Sequence, residues 1–357
     1  MFKTEHPFAI AMWDFSWIER RWPGAGYEDW DRVLSELKER GYDAVRIDPF
    51  PHLMACDPKK EWTLKPVWNQ QAWGSPALTC LKLLDGLRDF LRACQRHQVK
   101  VGLSTWFRHD LDETLMRVRT PGDHADIWIR TLDLIKAWGE ADNILYVDLC
   151  NEWPLGVWAP FFTEQFGEQL PSSPDSVRWM REAIACFKAA YPDIPVTFSF
   201  TGSISNDSFD VRFLDFIEQH TWMTTASDFY TLVGYNYERF DDAGYINLAL
   251  KGELQYQSKK EYYDQCLVEE IRRVADWASK WGKPLVSTEC WSVVDYKDWP
   301  LLNWGWILDL NRLGVETAVK TGCWAGMATS NFCGPQFVGM WREKDWHISL
   351  TRMIHQN

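Results

Sequence analysis

The chain alternates between two hydrophobic rhythms. Short continuous apolar runs read as strands buried on both faces, and longer stretches with apolar positions three and four apart read as amphipathic helices. Phe8 to Asp14 is the first such run. Tyr27 to Arg40 follows with Trp30, Val33, Leu34 and Leu37 at helical spacing, and Gly41 supplies a C-terminal cap. Ala44 to Asp48 is a second strand, stopped by Pro49 and Pro51. A long, turn-rich loop from His52 to Pro76 leads into a helix over Leu78 to His97, whose stripe is Leu81, Leu84, Leu87, Phe90, Leu91 and Cys94. Val99 to Trp106 gives a third strand and Asp123 to Gly139 a third helix.

A fourth strand starts at Ile144, and the run to Pro154 ends abruptly in Asn151, Glu152, Trp153 and Pro154. Ser173 and Pro174 then open a helix that reaches Ala190, and Pro195 to Phe200 is a fifth strand. The next stretch reads in two ways. Either a short helix near Val211 to Phe213 precedes a sixth strand over Phe216 to Trp222, or that strand lies at Thr231 to Tyr237. Glu261 to Trp281 is the clearest helix, with Cys266, Ile271, Val274, Trp277 and Ala278 on one face. Lys283 to Trp291 repeats the grammar of the fourth strand, ending in Glu289 and an aromatic. Asn303 to Leu313 is helical, Val319 to Trp324 an eighth strand, and Asp345 onward a closing helix. Eight strands alternating with helices, with no linker and no internal repeat, predict an α/β fold. It is a single (β/α)₈ TIM barrel with enlarged βα loops, occupying residues 1–357 as one domain.

Composition narrows the function. A formal charge of -12 argues against nucleic acid and anionic membrane as partners, since both demand a basic field. No apolar run is long enough for a transmembrane helix, and Met1 to Pro7 lack a signal-peptide core, so a cytoplasmic location is expected. Nine cysteines without metal-like spacing read as mostly reduced, buried thiols. The 23 tryptophans stand out, because an indole offers a broad apolar face that matches the C–H face of a sugar, although any single one is as readily core. Neither HxH, HExxH, GxxxxGK[ST] nor GxSxG occurs, so no metal and no cofactor is expected; His109 and His220 read equally as satisfied polar residues.

In such a barrel the C-terminal strand ends build the active site. Here those ends carry Asp14, Arg46 with Asp48, Trp106 with His109, Asn151 with Glu152, His220 with Trp222, Glu289 with Trp291, and Trp324. Two glutamates on strands four and seven face each other across the mouth, and a pair of carboxyl groups about 5–5.5 Å apart is what glycoside hydrolysis with retained configuration requires. The bland alternative makes both of them ion-pair partners of Arg46.

Asn151-Glu152 after a fourth strand and Glu289 ending a seventh resemble the cellulase-like retaining glycoside hydrolases of the large (β/α)₈ clan. The resemblance implies Glu152 as general acid/base with a raised pKa and Glu289 as an ionised nucleophile favoured by Arg46. It also implies Asn151 as the partner of the sugar 2-hydroxyl and Trp324 as the platform beneath the sugar. Asp14, Trp106, His220, Trp222 and Trp291 complete the expected carbohydrate-binding set. Asp14 reads either as a holder of a sugar hydroxyl or as a capping or surface residue. Where the family has His-x-Tyr on strand six, this chain has His220-Thr221-Trp222, so Tyr230, Tyr235 or Tyr237 must supply the hydroxyl or the chain does without it. The expected substrates are short β-linked oligosaccharides or small glycosides, with transglycosylation or silent sugar binding as the rivals.

Overall fold

A computed structural model of the chain describes residues 2, 4–67, 74–202, 209–236, 242–296, 298 and 302–356. Its centre is a parallel barrel of β1 (Phe8–Ala11), β2 (Ala44–Ile47), β3 (Lys100–Leu103), β4 (Ile144–Asp148), β5 (Val196–Thr197 and Ser199–Phe200), β6 (Ile217–Gln219, then Thr221–Trp222), β7 (Leu285–Ser287, then Cys290–Trp291) and β8 (Trp324–Met327). Each strand bonds the next in sequence, and β1 bonds β8 with Phe8 opposite Gly326. β5 closes the ring with its two halves: Val196 pairs Val147 of β4, and Ser199 pairs Glu218 of β6. A parallel sheet covered on both faces needs no polar alternation, and β1, β2 and β4 are buried at every position.

Around the barrel run α1 (Trp30–Glu39), α2 (Leu83–Arg96), α3 (Pro121–Ala137), α4 (Pro174–Ala190), α5 (Asp242–Ser258), α6 (Lys260–Trp281), α7 (Gly305–Thr321) and α8 (Lys344–His355). Their ends follow local chemistry. Asp29 accepts from the Arg32 N–H to start α1; Thr120 and Asp123 form a reciprocal capping box on α3; Gly282, with φ at 63°, stops α6.

The barrel floor is aromatic. Phe2, Phe8, Tyr146 and Phe216 meet edge to face, with Phe2 to Phe216 centroids 4.9 Å apart and Tyr146 to Phe216 5.2 Å. Two glycines make room for this plug. A Cβ on Gly326 would sit 2.2 Å from the Phe8 ring, and one on Gly102 2.4 Å from Tyr146.

Three expectations are corrected. Val319 belongs to α7, which runs to Thr321, so β8 begins at Trp324 where the sequence reading ended it. Residues 79–82 pair with Glu61–Leu64 as an antiparallel hairpin, and the helix expected from Leu78 starts at Leu83. No helix forms at 211–213, which is turn. The sixth strand lies within Phe216 to Trp222. Its rival does not form, since Phe229–Val233 is helical, and Tyr237 lies outside the described residues. Among the described residues no helix is long and apolar enough to cross a membrane.

Candidate active site

The segment after β4 is laced to both neighbouring strands. The Asn151 N–H donates to Thr105 O at 2.9 Å, and the Trp153 N–H to Ser199 O at 2.9 Å. Between them Glu152 adopts φ 48°, a left-handed conformation that costs a non-glycine residue about 1 kcal/mol or more, and its N–H donates to Ser199 Oγ at 2.9 Å. The Trp153 indole reaches back to Ser176 Oγ on α4 at 2.8 Å, fixing the turn from outside. Beneath it, buried Asp148 accepts from Ser104 Oγ and the Ser199 N–H, both at 2.8 Å, and burial pushes its pKa to about 7.

Across the mouth, Thr288 and Glu289 link the two halves of β7. Arg46, fully buried on β2, joins the two sides. Its Nη1 lies 3.3 Å from Glu289 Oε1 and 3.4 Å from Glu218 Oε1, and it donates to Thr288 Oγ1. Its Nη2 lies 3.0 Å from Asp14 Oδ2, donates to Ser104 Oγ at 3.2 Å, and donates to Asn151 Oδ1. His220 Nδ1 is 2.9 Å from Glu152 Oε1 and 3.8 Å from Glu289 Oε1. Facing atoms of Glu152, His220 and Glu289 all lie within 4.8 Å of one another.

The charges are shared unequally. Burial raises the Glu289 pKa to about 8, against the pull of His220 and Arg46 and with the help of neighbouring Glu152. Burial acts on Glu152 in the same direction, but hydrogen bonds from His220 and from the Trp158 indole, 3.1 Å from Oε2, outweigh it and hold this carboxyl below its ordinary value. The two pressures run opposite to the expected ones, Glu152 being held down and Glu289 pushed up. The physical reason is that His220 sits nearly an ångström closer to Glu152. Burial alone would lower the His220 pKa, yet Glu289, Glu152 and Glu218 push it up to about 10. Arg46, 3.2 Å from Nε2, opposes this, because a guanidinium donates only to a bare ring nitrogen. In either state the Nδ1 proton faces Glu152.

The other expected site residues divide. Asp14 is fully buried beside Arg46 and takes the Trp106 indole N–H on the same oxygen, which rules out the capping or surface reading; burial raises it to about 6. Trp106 leans on Trp158 at 4.7 Å between centroids. Trp222 is buried outside the continuous apolar core, 5.6 Å from His220 between ring centroids, and its N–H has no partner among the described residues. Asn151 Nδ2 is likewise unpartnered there.

Trp291 and Trp324 do not join them. Trp291 points outward against Gly314 of α7 and donates to Ala328 O at 3.0 Å. Trp324 opens β8 opposite Leu285, at the barrel end away from Glu152, so it cannot underlie a sugar at the mouth. Tyr230 and Tyr235 are occupied elsewhere. The first accepts the N–H groups of Val294 and Asp295 at 2.9 and 3.0 Å, and the second donates to Asp295 Oδ2 at 2.5 Å. Sequence reasoning missed Glu218, Thr288, Ser104 and Trp158. The alternation within strand six, Glu218 and His220 two apart, was the available signal for Glu218.

Comparison with known proteins agrees with this architecture. A glycoside hydrolase from Parabacteroides distasonis, so named only provisionally, is 49% identical with a TM-score of 0.96 over 98% of this chain and 94% of that one. An endo-β-1,4-mannanase from Thermotoga petrophila shares the fold at 12% identity and TM-score 0.57, over 99% of this chain and 78% of that one. A family 5 mannosidase from Rhizomucor miehei does so at 11% and 0.55, over 99% and 94%. A search of curated proteins found no match. A family model described as cellulase-like and sugar-binding matches residues 10–355, and with a glycoside-hydrolase-like barrel carrying this mouth, the chain belongs to the cellulase-like family.

Proposed function

We propose that the chain is a retaining β-glycoside hydrolase. The observation that carries the reading is the approach of Glu152 and Glu289, whose facing oxygens lie within 4.8 Å across the mouth. That span suits one sugar ring attacked from one side and protonated from the other, and it leaves no room for the separate water of an inverting reaction. In this reading Glu289 attacks the anomeric carbon while Glu152 protonates the departing oxygen. Glu152 then activates water to release the glycosyl enzyme. Two buried carboxyls this close resist full ionisation together, so the pair carries a single proton near neutrality, and it titrates as a pair. One acid and one base is what the first step needs. Approach of an anomeric carbon with positive character favours the anion on Glu289 and leaves the proton with Glu152.

Asn151 Nδ2 is turned by the Arg46 contact to its Oδ1, which favours donation to a 2-hydroxyl. Side-chain exposures of 13% for Glu152 and 6% for Glu289 describe a narrow mouth, which favours small glycosides and short oligosaccharides over polymer.

An activated 2-fluoro β-glycoside provides the test. Mass spectrometry is expected to find one glycosyl group on the peptide holding Glu289. Glu289→Gln is expected to lose turnover of an aryl β-glycoside by about 10⁴-fold or more. Unaltered turnover in that variant would sink the assignment. Oligosaccharide binding with no trapped intermediate would make the barrel a silent sugar-binding protein, and transfer to an added acceptor sugar would make it a transglycosylase.

A further inference from the structure

At the opposite end of the barrel the chain brings its two ends together around a second cluster. Asp43 immediately precedes β2, His6 lies just before β1, and His355 is the last residue of α8. His355 Nε2 sits 2.8 Å from Asp43 Oδ2, 312 positions away in sequence. The His6 and His355 rings lie 4.3 Å apart, tilted by 40°. One facing atom from each of the three residues lies within 4.8 Å of the other two.

We propose that His6, Asp43 and His355 form a binding site for a divalent transition cation of the zinc class. Two imidazoles and one carboxylate are a donor set that borderline-soft ions take readily and that magnesium and calcium, which prefer oxygen, do not. Metal bonds of about 2.0–2.1 Å set ligand atoms roughly 3.4 Å apart in a tetrahedral site. The observed separations bracket that spacing, with His355 Nε2 at 2.8 Å from Asp43 Oδ2 and all three facing atoms within 4.8 Å of one another.

Two backbone contacts outside the cluster already orient the ligands. His6 Nδ1 lies 2.9 Å from Pro7 O, so a proton there donates to that carbonyl and leaves Nε2 bare for the ion. Asp43 Oδ2 accepts the Ala9 N–H at 2.8 Å, which fixes the carboxylate against β1. The cation takes the place of the proton shared between His355 and Asp43. In a neutral His355 that proton moves to Nδ1; in a charged one it is released to water. Solvent fills the fourth position. Such an ion staples the segment before β1 to α8 on the floor of the barrel, remote from Glu152 and Glu289.

Isothermal titration of the full chain with zinc chloride, after chelator treatment, tests the site. One zinc per chain is expected, with magnesium silent. His6→Ala, a change at an exposed position, should weaken zinc binding at least tenfold, and His6→Ala with His355→Asn should abolish it. Thermal unfolding should show a zinc-dependent rise in Tm for the unaltered chain and none for the double variant. Glu152, His220 and Glu289 offer a second set of facing donors. Zinc binding that survives both histidine changes and disappears in Glu289→Gln would put the ion there and overturn the proposal, as would the absence of zinc binding in the unaltered chain.

Discussion

At the scale of single residues, the site is decided by which groups each carboxylate touches. Asn151, Glu152 and Glu289 were legible because each ends a strand abruptly, and Arg46 because it is a cation within a buried run. Trp158 was not, since only the fold of the loop brings its indole to Glu152. That contact has a specific consequence under the hydrolase reading. The N–H stabilises the Glu152 anion, and a hydrogen bond to a charged group contributes about 1.5–3 kcal/mol. Trp158→Phe keeps an aromatic wall beside Trp106 and removes the donor. Hydrolysis of glycosides with poor leaving groups, which depend on proton delivery, should change by about tenfold or more, whereas activated aryl glycosides should react almost as before. A uniform loss across leaving groups would mean that Trp158 serves packing alone. Trp291 and Trp324 teach the reverse lesson. A tryptophan near a strand end signals sugar binding only if the register is right, and in β8 the register was wrong.

At the scale of elements, the barrel was legible wherever a strand reads as a pure apolar run and a helix carries a stripe and a cap. It was misread where small residues do the packing. Ala325, Gly326 and Met327 lack the branched and aromatic signature of strands, so β8 was ended at Trp324, while Val319 looked like strand although it continues the rhythm of α7. Glycine is required in this strand for a reason invisible in one dimension: the Phe8 ring occupies the place of its side chain. Gly326→Ala should therefore cost about 1–3 kcal/mol by overpacking the floor, measured as a lower urea midpoint. Because the floor lies at the far end from Glu152, turnover at temperatures where the variant is folded should be retained. An unchanged midpoint would show that the aromatic plug yields freely. The hairpin of Glu61–Leu64 and Thr79–Lys82 was likewise hidden, since Leu81 fits the stripe of α2 as well as it fits a strand.

At the scale of the whole molecule, several buried acids gather on and around the barrel, with Arg46 and His220 as the cations nearest the mouth. Burial, the largest influence on each, raises Asp14 to about 6, Asp48, Asp148 and Asp295 to about 7, and Glu289 to about 8. All five start from ordinary values near 4 in the unfolded chain. Between those values and the raised ones the folded state binds protons that the unfolded state has already lost, so stability must fall as pH rises through this window. Glu152 and Glu218, held below their ordinary values, pull the other way, but only at pH low enough to protonate them in the unfolded chain. Above about pH 5 they contribute a constant amount, and the five raised acids then work against buried His52, His124 and His347, whose pKa values burial lowers to about 4, 4 and 3 and which add stability only up to about pH 6.5, while His220, raised to about 10, adds to the fall above that. The melting temperature is therefore expected to be highest in mildly acidic buffer and to decline steadily from about pH 5.5 to 8.5. Glu289→Gln, which removes the highest of these groups, should flatten the upper part of that decline while abolishing turnover. Calorimetry at fixed ionic strength across this range measures both slopes. A Tm that rises toward pH 8.5 would mean that the buried carboxyls are ionised and solvated in the folded protein, and with that the single shared proton between Glu152 and Glu289 would be lost as well.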